Sequence, residues 1–268
     1  MLSVIILQYN NSALTVNAIR SLREQIDRDH EIILVDNASR EVERQRIPEL
    51  FSDVLYIQNE TNEGFGKANN RAARQAKGDI LLFLNNDTIA TSDFVSPVME
   101  AFSGDSSIGI IGPRMRNRDE TFQLSCGSLP SFVQELQDKV VYRLVGENLS
   151  ARRFYERKFS VLQEVEWVTG AALFIRKDLF FTVGGFDEEF FMFFEDKDLC
   201  FRARGAGKIV LYDPIPSLVH LKGGSTTSET ASFIERTYRK SQEYYYRKHR
   251  PVIEQLLLRV YLTFTGKG

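Results

Sequence analysis

The stretch Asp79-Ile80-Leu81-Leu82-Phe83-Leu84-Asn85-Asn86-Asp87-Thr88 limits the folds open to this chain more than any other. The apolar run from Ile80 to Leu84 fits a strand buried on both faces, which occurs inside parallel sheets covered by helices. It ends in three polar side chains, one of them a carboxylate. In open α/β sheets ligands bind beyond the carboxyl ends of strands, where the loops diverge and leave a crevice. A carboxylate placed there between amides suits a hard cation and the phosphate oxygens that the cation bridges. An isolated Asn-Asn-Asp-Thr is more often a plain surface turn. The weight therefore falls on what precedes and follows it.

Other apolar runs repeat the pattern. Ser3 to Leu7 reads as a buried strand, and Ser12 to Gln25 as a helix with Leu14, Ala18, Ile19 and Leu22 on one face. Glu31 to Val35 is a second strand ending in Asp36-Asn37-Ala38-Ser39, and Val54 to Ile57 a short third one. A helix opens at Gly64-Phe65-Gly66 and runs to about Ala76; another spans Asp93 to Phe102 with Ser92 as its cap, before a strand at Ile108 to Ile111. Strands alternating with helices predict a mostly parallel α/β sheet with right-handed crossovers.

From Arg114 to Glu164 the periodicity is lost, which predicts a long, partly helical insertion. Trp167 to Ile175 reads as a strand, Gly184 to Asp187 as a turn, and Glu195 to Arg204 as a helix. A strand at Ile209 to Tyr212 is expected to break at Pro214-Ile215-Pro216. Glu229 to Lys248 reads as a long basic helix, and an apolar patch around Leu256-Leu257-Leu258 follows.

Bulk properties exclude several classes. The chain has 268 residues, enough for a sizeable core, and its net charge of −2 gives no general pull toward nucleic acid. Its two cysteines, Cys126 and Cys200, form no disulfide framework or metal-ligand spacing. No signal peptide and no membrane-spanning run is evident. Glycosylation sequons at Asn10, Asn37, Asn59, Asn86 and Asn148 fall partly in the expected site, where glycans would block it. A cytoplasmic protein is the expectation.

The chemistry concentrates in few residues. Asp36, at a strand end beside the crevice, is placed to accept hydrogen bonds from a nucleobase, although an Asp there is more often a turn residue. Gly64-Phe65-Gly66 points a helix N-terminus toward an anion, against the plainer reading of a tight turn. The dinucleotide fingerprint fails: Gln8-Tyr9-Asn10-Asn11 follows the first strand, and Asn69 stands where the third glycine belongs. Glu195 and Asp196, adjacent carboxylates below the aromatic run Phe190-Phe191-Met192-Phe193-Phe194, are expected in a partly desolvated place that raises at least one pKa and makes a base. An acidic first helical turn is the bland alternative. His220, ahead of Lys222-Gly223-Gly224-Ser225, is either a metal or phosphate ligand or a loop histidine.

Taken in order, Asp36-Asn37-Ala38-Ser39, Asn62-Glu63-Gly64-Phe65-Gly66-Lys67-Ala68-Asn69-Asn70, Leu84-Asn85-Asn86-Asp87-Thr88, Trp167 to Ala171, Gly184-Gly185-Phe186-Asp187, Phe194-Glu195-Asp196-Lys197-Asp198-Leu199 with Arg202, and His220-x-x-Gly223-x-Ser225 resemble a family 2 glycosyltransferase of the GT-A fold. The branch is similar to bacterial rhamnosyltransferases. The resemblance runs from Leu2 to about Ser225. It implies an inverting transferase that moves a sugar, L-rhamnose from dTDP-rhamnose as the best expectation, onto a saccharide or lipid-linked saccharide in cell-surface polysaccharide synthesis. It implies that Asp36 holds the base with Gln8 and Asn10 nearby. Asn37, Asn62, Gly66, Lys67, Asn69, Asn85 and Asn86 would contact the nucleotide-sugar.

Asp87 would bind Mg²⁺ or Mn²⁺ and His220 would complete the diphosphate–metal end. Asp196 would be the base, with Glu195, Trp167, Thr169 and Gly170 around the acceptor. The departure is at the metal motif: many relatives carry D-x-D, and this chain has Asn85-x-Asp87, one carboxylate fewer.

The implied organisation is a nucleotide-sugar half (1–113), an acceptor half of the same domain (114–228) and a basic amphipathic tail (229–268). The tail's Arg236, Arg239, Lys240, Arg247, Lys248 and Arg250 around Tyr244-Tyr245-Tyr246 would suit an anionic leaflet, against the alternative that the tyrosines pack on the domain. A homodimer is a further expected partner state. Two rivals stand beside this reading: a sugar nucleotidyltransferase, which would want a glycine-rich loop after the first strand, and a sugar-nucleotide-binding protein without activity.

Overall fold

The computed structural model of the chain describes residues 1–222 and 228–264. Its elements begin with β1 (Leu2–Gln8), α1 (Ser12–Gln25), β2 (His30–Asp36), α2 (Glu41–Leu50), β3 (Leu55–Gln58), α3 (Phe65–Ala73), β4 (Ile80–Asn85), β5 (Thr88–Ala90), α4 (Ser96–Gly104) and β6 (Ile108–Arg116). They continue with β7 (Phe122–Gln123), β8 (Cys126–Gly127), α5 (Phe132–Glu147), α6 (Leu149–Lys158), β9 (Gln163–Glu164), β10 (Trp167–Val168), β11 (Ala172–Arg176) and α7 (Lys177–Thr182). Last come α8 (Glu195–Gly205), β12 (Ile209–His220), α9 (Ser228–His249) and α10 (Val252–Phe264).

A ten-stranded mixed sheet in the order β3-β2-β1-β4-β11-β6-β12-β5 forms the centre, with β7 and β9 alongside. The first four strands are parallel, β11 runs against both its neighbours, and β12 is parallel to β6. Strand residues alternate between faces. Ile5, Leu81 and Phe83 therefore pack in one cluster with Ala68, Ala72 and Leu199, while Val4, Ile6, Leu82 and Leu84 pack in another with Ile19 and Phe94. Both faces are covered, so the strands read as continuous apolar runs. A third cluster joins Phe190 and Phe194 to Tyr245, Tyr246, Leu258 and Leu262, tying α9 and α10 to the turn that precedes α8. Cys126 and Cys200 are free and buried.

Several sequence expectations are corrected. β12 runs through Pro214 and Pro216 instead of breaking there. Its ladder with β6 skips between Asp213 and Ser217, so no proline N–H is required, and the Asp213 carboxylate accepts the Ile215 N–H at 2.9 Å. Trp167 to Ile175 is not one strand: β10 pairs with β8, and only β11 joins the main sheet. α4 begins at Ser96 with Val95 as its N-cap, not at Asp93 behind Ser92; the Asp93 carboxylate accepts the N–H groups of Val95 and Ser96 at 3.0 Å each in the turn before it. α2 was absent from the expectation because Ile47 is its one buried residue, which leaves no apolar stripe to read. The insertion holds the α5–α6 hairpin. Gly223 and Ser225, part of the expected His220 motif, lie outside the described residues.

Candidate functional site

The carboxyl ends of β2, β1 and β4 stand in a row. Asp36 pairs with Gln8, and Leu7 pairs with Asn85. Neighbouring strands lie about 4.8 Å apart, so these tips share one edge. Asp36 is fully buried; its oxygens accept from Gln8 Nε2 and from the Ser39 N–H, each at 2.8 Å. Gln8 Oε1 is buried with no hydrogen-bond partner. Both Asp36 oxygens are thus engaged by the protein's own donors. The loops after β1 and β2 are strained: Asn10 and Asn11 in the first have φ of 53° and 64°, and Ala38 in the second has 66°. Such conformations persist where surrounding contacts impose them, often at functional sites. Here the Asn10 N–H donates to Ser39 Oγ (2.7 Å) and Asn10 Oδ1 accepts from the Arg40 N–H (2.9 Å).

Past β4 the chain folds back into β5, which pairs with β12 and sets Thr88 opposite His220. His220 Nε2 lies 3.2 Å from Asp87 Oδ1 and 3.5 Å from Asn85 Nδ2, and the Leu221 N–H donates to the Asp87 carbonyl at 2.9 Å. Gln123, on β7, places its amide nitrogen 3.0 Å from His220 Nδ1 and leaves Oε1 buried without a partner. Turning that amide over gives the orphan oxygen the Nδ1–H as donor and frees the Nε2 lone pair toward Asp87. Nothing in the sequence flagged Gln123; only the β6–β7 pairing brings it here.

The residues present fit a divalent ion. Two donors sharing one octahedral ion in neighbouring positions stand roughly 3 Å apart, close to the Asp87–His220 separation of 3.2 Å. No group of three or more His, Cys, Asp or Glu able to hold a metal occurs among the described residues, so the remaining ligands would come from donor phosphates and water.

Asp196 joins the same edge from the other side. The Asn85 N–H donates to the Ala171 carbonyl at 3.0 Å, and the adjacent Gly170 N–H donates to Asp196 Oδ2 at 2.9 Å. Asp196 Oδ1 accepts from the Lys197 N–H at 2.8 Å. Glu195 beside it is 6% exposed, with Oε2 lacking a partner. Burial first, and the charge of Asp196 second, push the Glu195 carboxyl up to about 8. Phe193 and Phe194 approach α8 with φ of 72° and 69°. Their rings sit against Tyr238 of α9 at 5.5 and 5.2 Å, and Phe194 also against Tyr245 at 5.5 Å. Trp167 is buried, donates to the Ser128 carbonyl at 2.9 Å and carries Lys197 Nζ 4.8 Å above its ring. Thr169 Oγ1 accepts from the Ala171 N–H at 3.3 Å.

With this geometry in view, the chain was compared with known proteins. The sequence profile of glycosyl transferase family 2 matches residues 3–181. The chain belongs to that family. An N-acetylglucosaminyl-diphospho-decaprenol L-rhamnosyltransferase of Mycobacterium tuberculosis is 26% identical over 87% of this chain and 80% of its own length. The rhamnosyltransferase WbbL of Escherichia coli K12 is 29% identical over 82% and 83%. Among solved structures, GalNAc-T7 with UDP, GalNAc and Mn²⁺ superposes with a TM-score of 0.64 at 18% identity, covering 92% of this chain. The chain spans about half (49%) of that structure. The mannosyltransferase PcManGT of Pyrobaculum calidifontis with GDP-Man and Mn²⁺ gives 0.58 at 15% identity, covering 98% of this chain and 79% of that one. The fold is GT-A and the protein is a glycosyltransferase, which sets aside both a nucleotidyltransferase and an inactive binding protein.

Within this family 2 domain, several expected donor contacts are occupied by the protein itself. Asn37 bonds Asn62 Oδ1, the Gly64 carbonyl, Asn59 and the Glu63 N–H, which fixes the 59–64 loop. Asn62 Oδ1 also accepts from the Gly64 N–H at 3.0 Å. Asn69 is spent on the Phe65 carbonyl, and Asn86 reaches Thr15 on α1. Lys67 pairs with Glu63 at 3.3 Å. At Gly66 an added Cβ would stand 3.0 Å from Phe186, and at Gly64 (φ 78°) 2.3 Å from the Phe191 carbonyl, which the Phe65 N–H binds. The glycines thus let α3 approach the 184–194 segment closely, and its first N–H is already satisfied. Two cavities of about 830 Å³ lie away from the row, one under α5–α6 and one beside Arg204 and Arg250.

Proposed function

We propose that this protein is an inverting transferase that moves L-rhamnose from dTDP-rhamnose to a hydroxyl of a lipid-linked saccharide at the cytoplasmic face of the membrane, in cell-surface polysaccharide synthesis. The observation that carries the reading is the meeting of Asp87–His220 and Gly170–Asp196 around Asn85, at the carboxyl edge of the sheet. One group can hold the diphosphate end and the other can take a proton from an incoming hydroxyl. Both rhamnosyltransferase relatives support the sugar, and the decaprenol-linked substrate of the mycobacterial one supports the lipid carrier.

In the proposed step the acceptor oxygen gives its proton to Asp196 and bonds to the anomeric carbon. The carbon–oxygen bond to the nucleoside diphosphate breaks on the opposite face, so one displacement inverts the centre. Asp87 and His220 would hold Mg²⁺ or Mn²⁺. When bound, the ion offsets charge on the leaving diphosphate. The Gly170 N–H fixes one Asp196 oxygen, so the carboxylate meets the acceptor with a set orientation.

A panel of nucleotide-sugars screened by thermal shift with and without Mn²⁺ tests the reading. dTDP-rhamnose should stabilise most, and only with the ion. In the Asp87→Ala variant donor affinity should no longer respond to EDTA. A panel in which no nucleotide-sugar raises the melting temperature contradicts the function.

A further inference from the structure

α10 presents an apolar face that nothing in the described chain covers. Val252, Ile253, Leu256, Leu257, Val260 and Phe264 are 68, 62, 49, 41, 53 and 85% exposed. At 3.6 residues per turn they fall within an arc of about 140°. Leu258 and Leu262, on the other side, are buried in the aromatic cluster of α9 and the 190–194 turn. The charge around this face is one-sided. α10 carries a single acid, Glu254, whose carboxylate is taken by the Phe132 N–H at 2.9 Å. Arg259 is exposed on α10, Lys139 Nζ lies 4.2 Å above the Tyr261 ring, and Arg247 shares a small hollow with Arg259 and one acid, Glu243.

We infer that this face of α10, rimmed by Lys139, Arg247 and Arg259, lies in the interface of an anionic phospholipid bilayer and holds the domain beside a lipid-linked acceptor. The inference rests on the lipid-linked acceptor of the proposed function. An amphipathic helix with apolar residues on one side and cations at its edges binds such surfaces through buried area and attraction to anionic headgroups. A second copy of the chain fits less well. A two-fold contact through this face would set the cationic rim against itself.

The surface also differs from the one expected on α9. There Tyr245 and Tyr246 are buried, Lys248 binds Asp187 and Asp198, and Arg250 donates to the Pro130 carbonyl. The tyrosines pack on the domain, and the apolar face that remains belongs to the next helix.

The test is flotation of the full chain with vesicles of phosphatidylcholine containing phosphatidylglycerol, and with phosphatidylcholine alone. Two variants accompany the wild type: Leu256→Ser with Leu257→Ser and Val260→Ser, and Arg247→Glu with Arg259→Glu. The wild type should float with the phosphatidylglycerol vesicles. Each variant should lose about tenfold or more in partitioning, from lost apolar burial in one and reversed charge in the other. Transfer to a water-soluble acceptor should be unchanged in both, so loss of that activity in the wild type would count against the proposed function and not against the surface. Failure of the wild type to float, flotation as strong with phosphatidylcholine alone, variants that float as well as the wild type, or a dimer in light scattering that the serine substitutions dissociate would each overturn the inference.

Discussion

Two side chains define how the site is set at the level of single residues. Gln123 meets His220 on the Nδ1 side and so leaves Nε2 as the ring nitrogen that faces Asp87. Loss of such a supporting partner typically weakens metal binding about 10–100-fold. Gln123→Ala should therefore weaken Mn²⁺ binding by roughly that factor, read by metal titration in the presence of nucleoside diphosphate, while the fold is retained. Burial and the charge of Asp196 favour the uncharged form of Glu195. Its carboxyl is raised from 4.5 to about 8, so the folded chain keeps a proton that the unfolded chain releases. The unfolded state thus binds fewer protons in this window, and wild-type stability falls as pH rises through it. Glu195→Gln removes the penalty. Its melting temperature should match the wild type below pH 4.5 and exceed it increasingly up to about pH 8.

At the level of elements, α8 and α9 are joined by a buried ion cluster. Asp198, two positions after Asp196, is 0% exposed and bound by Arg202 (2.6 Å), Lys248 (2.7 Å) and His249 (2.7 Å). Burial alone would raise its pKa. The His249 hydrogen bond, the charge of Arg202 and the Lys248 hydrogen bond outweigh it and hold the carboxyl at about 2. Lys248 also bonds Asp187 at 2.6 Å, so one lysine anchors both the 184–187 turn and α8. Removing one member of a buried pair typically costs about 3–5 kcal/mol. Asp198→Ala should lower stability in denaturant melts by about that much, because Arg202 and Lys248 lose their counter-charge and His249 its hydrogen-bond partner. The wild-type advantage should be full above the ordinary 3.8 and disappear as pH falls through about 2.

For the molecule as a whole, the strands were legible because burial on both faces leaves uninterrupted apolar runs, as in Ile80–Leu84. α2 and β12 were not, since one lies on the surface and the other crosses two prolines at a ladder skip. Asp87, His220 and Asp196 were legible as chemistry at strand and helix ends, and the sheet brings them together around Asn85. Gln123 could not be read, because it meets His220, 97 residues away in sequence, only once β7 and β12 have both paired with β6. The polar residues of the 36–70 region look like ligand contacts in sequence, yet Asn37 donates to Asn62 and accepts from Asn59 and the Glu63 N–H, which holds the loop. A polar motif records where hydrogen bonds are made, not with whom. The central claim is that Asp196 takes the acceptor proton at this edge of the sheet, and the direct measurement is kcat for sugar transfer by Asp196→Asn alongside its donor affinity. General-base help is worth about 10²–10⁴-fold, so kcat should fall by that factor with donor affinity unchanged. Turnover at the wild-type rate would contradict the account.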